Sequence, residues 1–371
     1  MIGVSRLRID GRSLRLWAGL AWFALGSPGV LIGAPHPIRT GIWVTQRLPS
    51  DPETLSEFKS ALRSARDLKG VSLHIPWDQI EPEAGKLDFK FLDQTVGILR
   101  DEKMSYQLCL KPGSSTPAFV YADGAQGFET QVQNPHRPNF GATIRIPVPW
   151  DPVFERGFGR IIGELGRHYA SDPLCVGVVL TCANFLSAEM HLPKSPADLA
   201  HWRSFGDYEK RLLEVYETFT DIWAKAFPHQ EICLHLSKVL RLPPEFCEKI
   251  IDQGIRKYPS RFSIQSCQLT GRKEDTGVMT YDLIQKYRDR ALHGFQSLAA
   301  LDGADGRMGS AEMAALNIVH ARGQFWELWH GDGFDPLKAS KADRALREAN
   351  ELGYERYKEK LISEGKYRSG R

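Results

Sequence analysis

The chain has 371 residues, of which 25% are charged and 42% hydrophobic, an ordinary balance for a folded protein. Its formal net charge of +3 gives no reason to expect nucleic acid or an anionic membrane surface as a partner. The length suits one large domain with extended loops.

The first 36 residues are predicted to be a targeting segment that takes no part in the fold. Four arginines between Arg6 and Arg15 precede the apolar run 16–26, which is the order of an export signal. Ser27-Pro28-Gly29 interrupts the run, so it is short for a membrane span, which needs about 20 apolar residues. We therefore expect an exported protein, periplasmic or extracellular, with a signal cleaved near Ala34 or kept as an N-terminal anchor.

The six cysteines give no support for a metal or a cofactor. No CxxC pair occurs, and the histidines are too scattered along the chain to define a metal site. Most of the cysteines lie in or beside apolar runs, which predicts buried free thiols. Free thiols fit less well with export, because oxidising compartments favour disulfides.

From residue 37 onward, strand patterns alternate with helix patterns. Strands are predicted at 41–45, 70–75, 105–110, 176–181, 232–236, 261–265, 294–298 and 324–329. Helices are predicted at 52–68, 88–101, 151–170, 205–227, 244–258, 280–292, 310–321 and 339–362. No GxGxxG fingerprint follows the first strand, so the alternation favours a (β/α)8 TIM barrel over a dinucleotide-binding fold. We predict that residues 37–371 form this single barrel domain.

A long loop rich in Pro, Gly and Asn follows the third strand, from Lys111 to about Trp150. Loops of this length in compact domains are usually functional or form small subdomains. Residues 141–148 alternate enough to form one arm of a hairpin. We expect this insertion to fold over the C-terminal mouth of the barrel.

The stretch 175–193 is the strongest candidate for an active-site segment. The apolar run 176–181 has the pattern of a strand buried on both faces, and it is followed by Asn184, Ser187, Glu189 and His191. A (β/α)8 barrel keeps its chemistry at the C-terminal ends of its strands. Glu189 is therefore the first candidate for a catalytic carboxylate, the alternative being a solvated loop residue.

Residues 76–93, PWDQIEPEAGKLDFKFLD, carry a resemblance to a known family. They are similar to the W-x-x-[IV]-E-P-x-x-G-x-[YLF]-[DN]-[FW] pattern of (β/α)8 glycoside hydrolases of the β-galactosidase, xylanase and cellulase kind, the large retaining clan. Residues 116–119, 150–152 and 168–173 resemble the same enzymes around strands three and four. The resemblance covers most of residues 40–335 and implies a carbohydrate substrate.

The resemblance also implies an acid/base glutamate ending strand four and a nucleophilic glutamate ending strand seven. The sequence departs from this pattern twice. Asn184 and Glu189 are five residues apart where the family has adjacent Asn-Glu, and Gln296 stands at the strand-seven position. An amide cannot form the glycosyl ester that a carboxylate forms, so the retaining mechanism is in question.

Glycoside cleavage still needs a second carboxyl group, and Glu327 is the best remaining candidate. It ends strand eight between Trp326 and Trp329, whose apolar rings would raise its pKa. The alternative is a structural glutamate bonded to loop backbone. Asp302 and Asp305 are weaker candidates because they lie in a Gly-rich turn, and Glu81 is expected to hold its own loop.

Aromatic and polar side chains at strand ends are the candidate substrate-binding residues. Rings that could stack on sugar faces are those of Trp77, Trp326 and Trp329, with core packing as the alternative. Candidates for bonding sugar hydroxyls are His74, Asn184, His235, Gln265 and Gln296. A histidine at a strand end is more often structural than ligand-binding.

Three functions are compatible with the sequence. The first is an exported glycoside hydrolase that uses Glu189 with Glu327 or another carboxylate. The second is a barrel that binds carbohydrate without cleaving it, with Gln296 marking the loss. The third is a different hydrolase or lyase on the same barrel, since a fold does not fix the chemistry.

Overall fold

The computed structural model describes residues 38–135, 137, 139–275 and 277–369. The predicted export segment, residues 1–36, lies outside the described residues, so the signal, the anchor and the export of the protein stay predictions. Within the described residues, no helix combines the length and the apolarity that crossing a membrane requires.

Eight parallel strands of the described chain close into a barrel, in the order β1-β2-β3-β6-β7-β8-β9-β10 and back to β1. The barrel strands are β1 (Gly41–Arg47), β2 (Leu68–Pro76), β3 (Ser105–Lys111), β6 (Cys175–Val179), β7 (Glu231–Leu236), β8 (Phe262–Leu269), β9 (Leu292–Ser297) and β10 (Phe325–Leu328). Strands β4 (Gly127–Gln131) and β5 (Thr143–Pro147) form an antiparallel hairpin inside the insertion that follows β3. The (β/α)8 fold class is confirmed, and each barrel strand overlaps one predicted from the sequence.

Helices follow the barrel strands around the outside. They are α1 (Pro52–Ser64), α2 (Trp77–Ile80), α3 (Lys90–Asp101), α4 (Ala118–Ala122), α5 (Pro152–Tyr169), α6 (Pro196–Ser204), α7 (Tyr208–Ala226), α8 (Pro244–Lys257), α9 (Met279–Tyr287), α10 (Ala311–His320), α11 (His330–Gly333), α12 (Pro336–Leu352) and α13 (Tyr354–Ser363). Their apolar faces pack on the outward-facing side chains of the strands to form the main core.

The helix prediction is wrong in four places. The predicted helix 280–292 ends at Tyr287, because Leu292 is the first residue of β9. Helix α1 ends at Ser64, not residue 68, because Leu68 pairs with Ile42 as the first residue of β2. The predicted helix 339–362 is two helices, since Gly353 has a φ of +75°, which a continuing α-helix cannot contain. Helix α6 was missed, although Ser195 and Asp198 form a capping box at its start.

The barrel interior is packed at its amino-terminal end by Trp43, Val176 and Phe325. Gly70 is required beside them, because a Cβ atom at this position would lie 2.4 Å from the Trp43 ring. A polar layer begins beside these rings. Arg39, two residues before β1, is buried there and forms an ion pair of 2.9 Å with buried Glu231, the first residue of β7. The polar layer continues toward the mouth and forms the floor of the site described next.

Candidate functional site

A cavity of about 730 Å³ opens at the carboxyl ends of the barrel strands. Its wall includes the last residues of β1 and β3 together with His74, His235 and Gln296 from three other strands. Helix α1 and the segment that follows β6 complete it. Arg137, from the insertion after β3, also lines the cavity, so the insertion reaches the C-terminal mouth as expected.

Glu189 lies in this cavity, in the segment that follows β6. The segment is fixed to β7 by the Met190 amide, which donates to the His235 carbonyl at 3.0 Å. The Ser187 hydroxyl donates to Glu189 Oε2 at 2.9 Å. Burial raises the pKa of Glu189, while the Ser187 hydrogen bond and the charge of Arg137 act in the opposite direction. A carboxyl group with a raised pKa in a cavity is suited to donating a proton.

Asn184 supports Glu189 through the backbone. Its Oδ1 accepts from the Cys182 amide at 2.8 Å, and its Nδ2 donates to the carbonyls of Ala188 and Glu189 at 2.9 and 2.8 Å. The side chain is buried and is not part of the cavity wall. The prediction that Asn184 bonds a sugar hydroxyl is therefore wrong in this structure, because its amide is already used to fold the loop 184–189.

Glu327 lies behind the cavity wall. It is fully buried and does not line the cavity. Its Oε1 accepts a hydrogen bond from Gln296 Nε2 at 3.1 Å, and its Oε2 accepts a longer one from Gln265 Nε2 at 3.5 Å. Burial raises the pKa of Glu327 to about 7, with the charge of Arg39 acting against the shift. The structure thus separates the two predicted catalytic glutamates, with Glu189 in the mouth and Glu327 beneath it.

The two glutamates nevertheless share a neighbour. Burial raises the pKa of the Cys267 thiol, and the charges of Glu189 and Glu327 raise it further. Both carboxyl groups therefore act electrostatically on the same buried thiol. Glu327 remains close to the mouth, although the Gln296 side chain stands in front of it.

Of the three tryptophans predicted to stack on sugars, one is exposed. Trp77 and Trp326 are fully buried, with their indole nitrogens donating to Glu81 Oε2 at 3.0 Å and to Ser297 Oγ at 2.9 Å. A stacking role for these two is wrong, because neither ring face is free. Trp329 is 48% exposed and lines the cavity, so its stacking role stays a prediction.

His74 and His235 both line the cavity. The Nε2 atom of each is buried and has no hydrogen-bond partner among the described residues. Burial lowers the pKa of His74 to about 3 and that of His235 well below its ordinary value, so both rings are neutral at pH 7. A neutral imidazole nitrogen can donate to or accept from a sugar hydroxyl. Their predicted binding role fits this geometry and stays a prediction.

The two glutamines predicted to bind sugar lie at different depths. Gln296 lines the cavity and donates to Glu327. Gln265 is fully buried below it, where its Oε1 accepts from Arg39 Nη1 at 3.3 Å. The binding role predicted for Gln265 is therefore wrong, because the side chain belongs to the polar floor of the barrel.

The carboxylates considered weaker candidates lie outside the cavity wall. Glu81 holds its own loop, accepting from the Gly85 amide at 3.0 Å, and it forms an ion pair with Arg160. Asp302 pairs with Lys341 at 3.1 Å. Asp305 accepts from the Arg307 amide at 3.1 Å.

Sequence reasoning missed the basic side chains of the cavity, Arg47, Lys111 and Arg137. Lys111 carried a usable signal, since it directly follows the apolar run of β3, where strand-end polar residues were expected to matter. Arg137 carried none, because its position depends on the fold of the insertion. Among the described residues, no group of three or more His, Cys, Asp or Glu is placed to hold a metal ion.

Comparison with known proteins finds a family of glycoside hydrolases that part of this barrel resembles. Residues 55–227 match the model of glycoside hydrolase family 42, described as beta-galactosidase. This match includes Glu189 and ends before Gln296 and Glu327. Together with the closed barrel, it confirms the resemblance carried by residues 76–93. The chain is a (β/α)8 barrel, of which residues 55–227 are similar to a family of glycoside hydrolases.

Solved structures of similar fold are all distant in sequence. A beta-galactosidase from the psychrophilic Marinomonas ef1 has a TM-score of 0.56 at 11% identity, over 88% of this chain and 60% of that one. The catalytic domain of beta-amylase from Paenibacillus polymyxa has a TM-score of 0.56 at 11% identity, over 83% of this chain and 98% of that one. Xylanase 10B from Thermotoga maritima has a TM-score of 0.50 at 10% identity, over 84% and 95%. These likenesses concern the fold.

The chain spans 60% of the length of the Marinomonas beta-galactosidase and 57% of one from Halorubrum lacusprofundi. A search among curated proteins gave no significant match.

Proposed function

We propose that the protein binds a glycan at the mouth of its barrel and hydrolyses a glycosidic bond with Glu189 as the general acid. The observation that carries this proposal is the position of Glu189 in the cavity, with a pKa raised by burial. Trp329, in the same cavity, offers an exposed ring for a sugar face. The family match over residues 55–227 supports a carbohydrate as the substrate.

The reaction is a single displacement in this proposal. Protonated Glu189 gives its proton to the leaving oxygen as the bond to the anomeric carbon breaks, and water adds to that carbon. A covalent glycosyl intermediate is not part of the route, because Gln296 holds the strand-seven position at which the resemblance implies a nucleophilic glutamate, and an amide cannot form the glycosyl ester. The configuration at the anomeric carbon is therefore inverted.

The proton released by the water needs a second carboxylate. Two are candidates: Glu57, which lines the cavity, and Glu327, which accepts a hydrogen bond from the cavity residue Gln296. We assign the role to Glu327, because it lies directly behind Gln296 at the strand ends and because burial raises its pKa to about 7, which suits a base that works near neutral pH. The Gln296 side chain must then turn aside to let water reach it.

Replacing Glu189 with Gln tests the proposal. On the glycan that the wild type cleaves fastest, Glu189→Gln is expected to lower kcat/KM by about 10²- to 10⁴-fold, the usual contribution of a general acid. Glu53→Gln is the matched control, since Glu53 is exposed on α1 and does not line the cavity. Nuclear magnetic resonance of the first product formed should show the inverted anomer.

Full turnover by Glu189→Gln would refute the role of Glu189. Retention of configuration would refute the single displacement. Comparing Glu57→Gln with Glu327→Gln on the same substrate then decides which carboxylate serves as the base.

A second candidate function is carbohydrate binding without hydrolysis. One observation favours it. Gln296, at the end of β9, the seventh barrel strand, has an amide where the resemblance implies a nucleophilic glutamate, and Glu327 is buried behind that amide. In this case the wild type binds glycans in a calorimeter but releases no product. Hydrolytic activity gained by Gln296→Glu would then identify a retaining enzyme that has lost its nucleophile.

A further inference from the structure

Basic side chains are concentrated at the mouth of the barrel, although the chain as a whole is almost neutral. Arg47 at the end of β1, Lys111 at the end of β3 and Arg137 in the insertion all line the 730 Å³ cavity. Within the described part of the chain, none of the three forms an ion pair with a carboxylate; their charges act on one another, on Asp78 and, from Arg137, on Glu189.

Lys111 is the most informative of the three because it is half-buried. Burial lowers the pKa of Lys111, and the charges of Arg47 and Arg137 lower it further, while those of Cys109 and Asp78 oppose the shift. An ammonium group taken out of water without a paired anion is costly. A negative group bound in the cavity would offset this cost and restore the ordinary charge of the lysine.

The basic surface continues beyond the first cavity. A neighbouring cavity of about 380 Å³ shares Arg137 and Leu186 with the first and is also lined by Lys194 and Arg241. Its carboxylate, Asp198, is already bonded to the Thr130 hydroxyl at 2.9 Å and to the Ser195 amide at 2.9 Å. The first cavity contributes only Glu57 and Glu189 as acids.

We propose that the glycan is anionic, bearing uronate carboxylates or sulfate esters, and that Lys111 binds one of these groups inside the cavity. The inference rests on the proposed function, because it names the substrate class of the same site. Arg137 and Lys194 extend the interaction along the second cavity, so a chain of several charged sugars fits better than a single ring. Cationic side chains recognise uronate carboxylates and sulfate esters in the same way. The experiment below distinguishes the two groups.

Calorimetric titration with paired ligands tests the proposal. Oligosaccharides from pectate, alginate and glucuronan are compared with their carboxyl-reduced forms, and sulfated oligosaccharides from chondroitin sulfate and carrageenan with their desulfated forms. The wild type is expected to bind a charged member about 10- to 100-fold more tightly than its neutral counterpart, the range of one charge-assisted hydrogen bond. The charged member that binds shows whether the group is a carboxylate or a sulfate ester.

Variants assign the effect to the cavity. Lys111→Met should lower affinity for the charged ligand by about 10- to 100-fold and leave the neutral counterpart unchanged, while Lys111→Arg keeps most of the affinity. Lys69→Met is the matched control, since Lys69 is an exposed lysine near the opposite end of β2. Arg137→Gln should also lower affinity for the charged ligand. Because Arg137 is exposed, this variant tests the cavity even if Lys111→Met, at a half-buried position, fails to fold.

The results that overturn the inference differ from those that overturn the proposed function. Neutral forms that bind as tightly as charged forms, or Lys111→Met and Arg137→Gln variants with wild-type affinity, would refute the anionic glycan but leave carbohydrate binding intact. Binding of no glycan in either form would refute both.

Discussion

Glu327 lies beneath the mouth, where its surroundings bear on both the stability of the fold and the proposed chemistry. Gln296 and Gln265 donate to its two oxygens, and Arg39 acts on it from the amino-terminal side of the barrel. None of these neighbours offsets the cost of burying a negative charge in full, and its pKa therefore rises to about 7. The protonated form is favoured in the folded chain over much of the acidic range.

Glu327→Gln is expected to remove a pH-dependent loss of stability. The ordinary pKa of the group is 4.5 and its folded value about 7, so between these values the folded chain binds more protons than the unfolded chain. Stability contributed by Glu327 is therefore complete below about pH 4.5 and falls as the pH rises toward 7. From pH 5 to pH 8, the free energy of unfolding of Glu327→Gln relative to wild type should increase by about 2 to 3 kcal/mol.

Urea denaturation of both proteins at the two pH values measures this difference. The variant and the wild type share the buried histidines, whose lowered pKa values give the opposite pH dependence, so that contribution cancels. A difference in unfolding free energy that is the same at pH 5 and pH 8 would show that Glu327 ionises normally in the folded protein.

Single residues also show where sequence reasoning is limited. The position of Glu189 at the mouth follows from a buried strand that ends in polar residues. Whether a tryptophan faces the core or the cavity does not follow, because Trp326 and Trp329 are both next to strand ends and differ only in direction. The local sequence does not indicate in which direction the side chain points.

At the scale of elements, hydrogen bonds from the Asp151 side chain hold the start of α5 to the hairpin of β4 and β5. Asp151 begins α5, with Oδ1 accepting from the amides of Val153 and Phe154 at 2.9 and 3.0 Å. Its Oδ2 accepts from the Gln126 amide at 3.1 Å, directly before β4. This one carboxylate thus caps a helix and attaches the insertion that forms part of the mouth.

Asp151→Ala is expected to lower the free energy of unfolding by about 2 kcal/mol, the upper end of the range for helix caps. Asp51→Ala is the control, because Asp51 caps α1 through the Thr54 amide at 2.8 Å and holds no second element. Its loss should be smaller, because the Asp51 side chain is bonded only within its own helix start. Equal losses in chemical denaturation would mean that the bond to Gln126 contributes no stability.

Helix starts were predicted well where Asp-Pro marks them, as at α1 and α5. The same kind of signal, Ser195 followed by Pro196 and Asp198, begins α6 and was overlooked. Gly353 was a second overlooked signal, since glycine is the residue that a positive φ favours. These errors concern one missed helix and one helix that is divided in two, and they left the barrel topology unaffected.

At the scale of the whole molecule, the barrel could be predicted because its strand and helix patterns are local in sequence. The composition of the mouth could not, because it depends on the stagger between strands. His235 and Gln265 are partners in the parallel register of β7 and β8, yet His235 lines the cavity and Gln265 bonds Arg39 in the floor. The mouth also depends on contacts between residues that are far apart in sequence. One of them joins the His330 ring nitrogen Nδ1 to Gln46 Oε1 at 2.8 Å.

The most direct test of the account is a crystal structure of the Glu189→Gln variant with a glycan that the wild type binds. We expect the glycan in the mouth of the barrel, a ring against Trp329, and a glycosidic oxygen about 2.6 to 3.2 Å from the side-chain amide at position 189. A glycan seated outside the cavity that contains Glu189 would contradict the account. So would a glycan in the cavity whose glycosidic oxygens all lie beyond hydrogen-bonding distance of position 189.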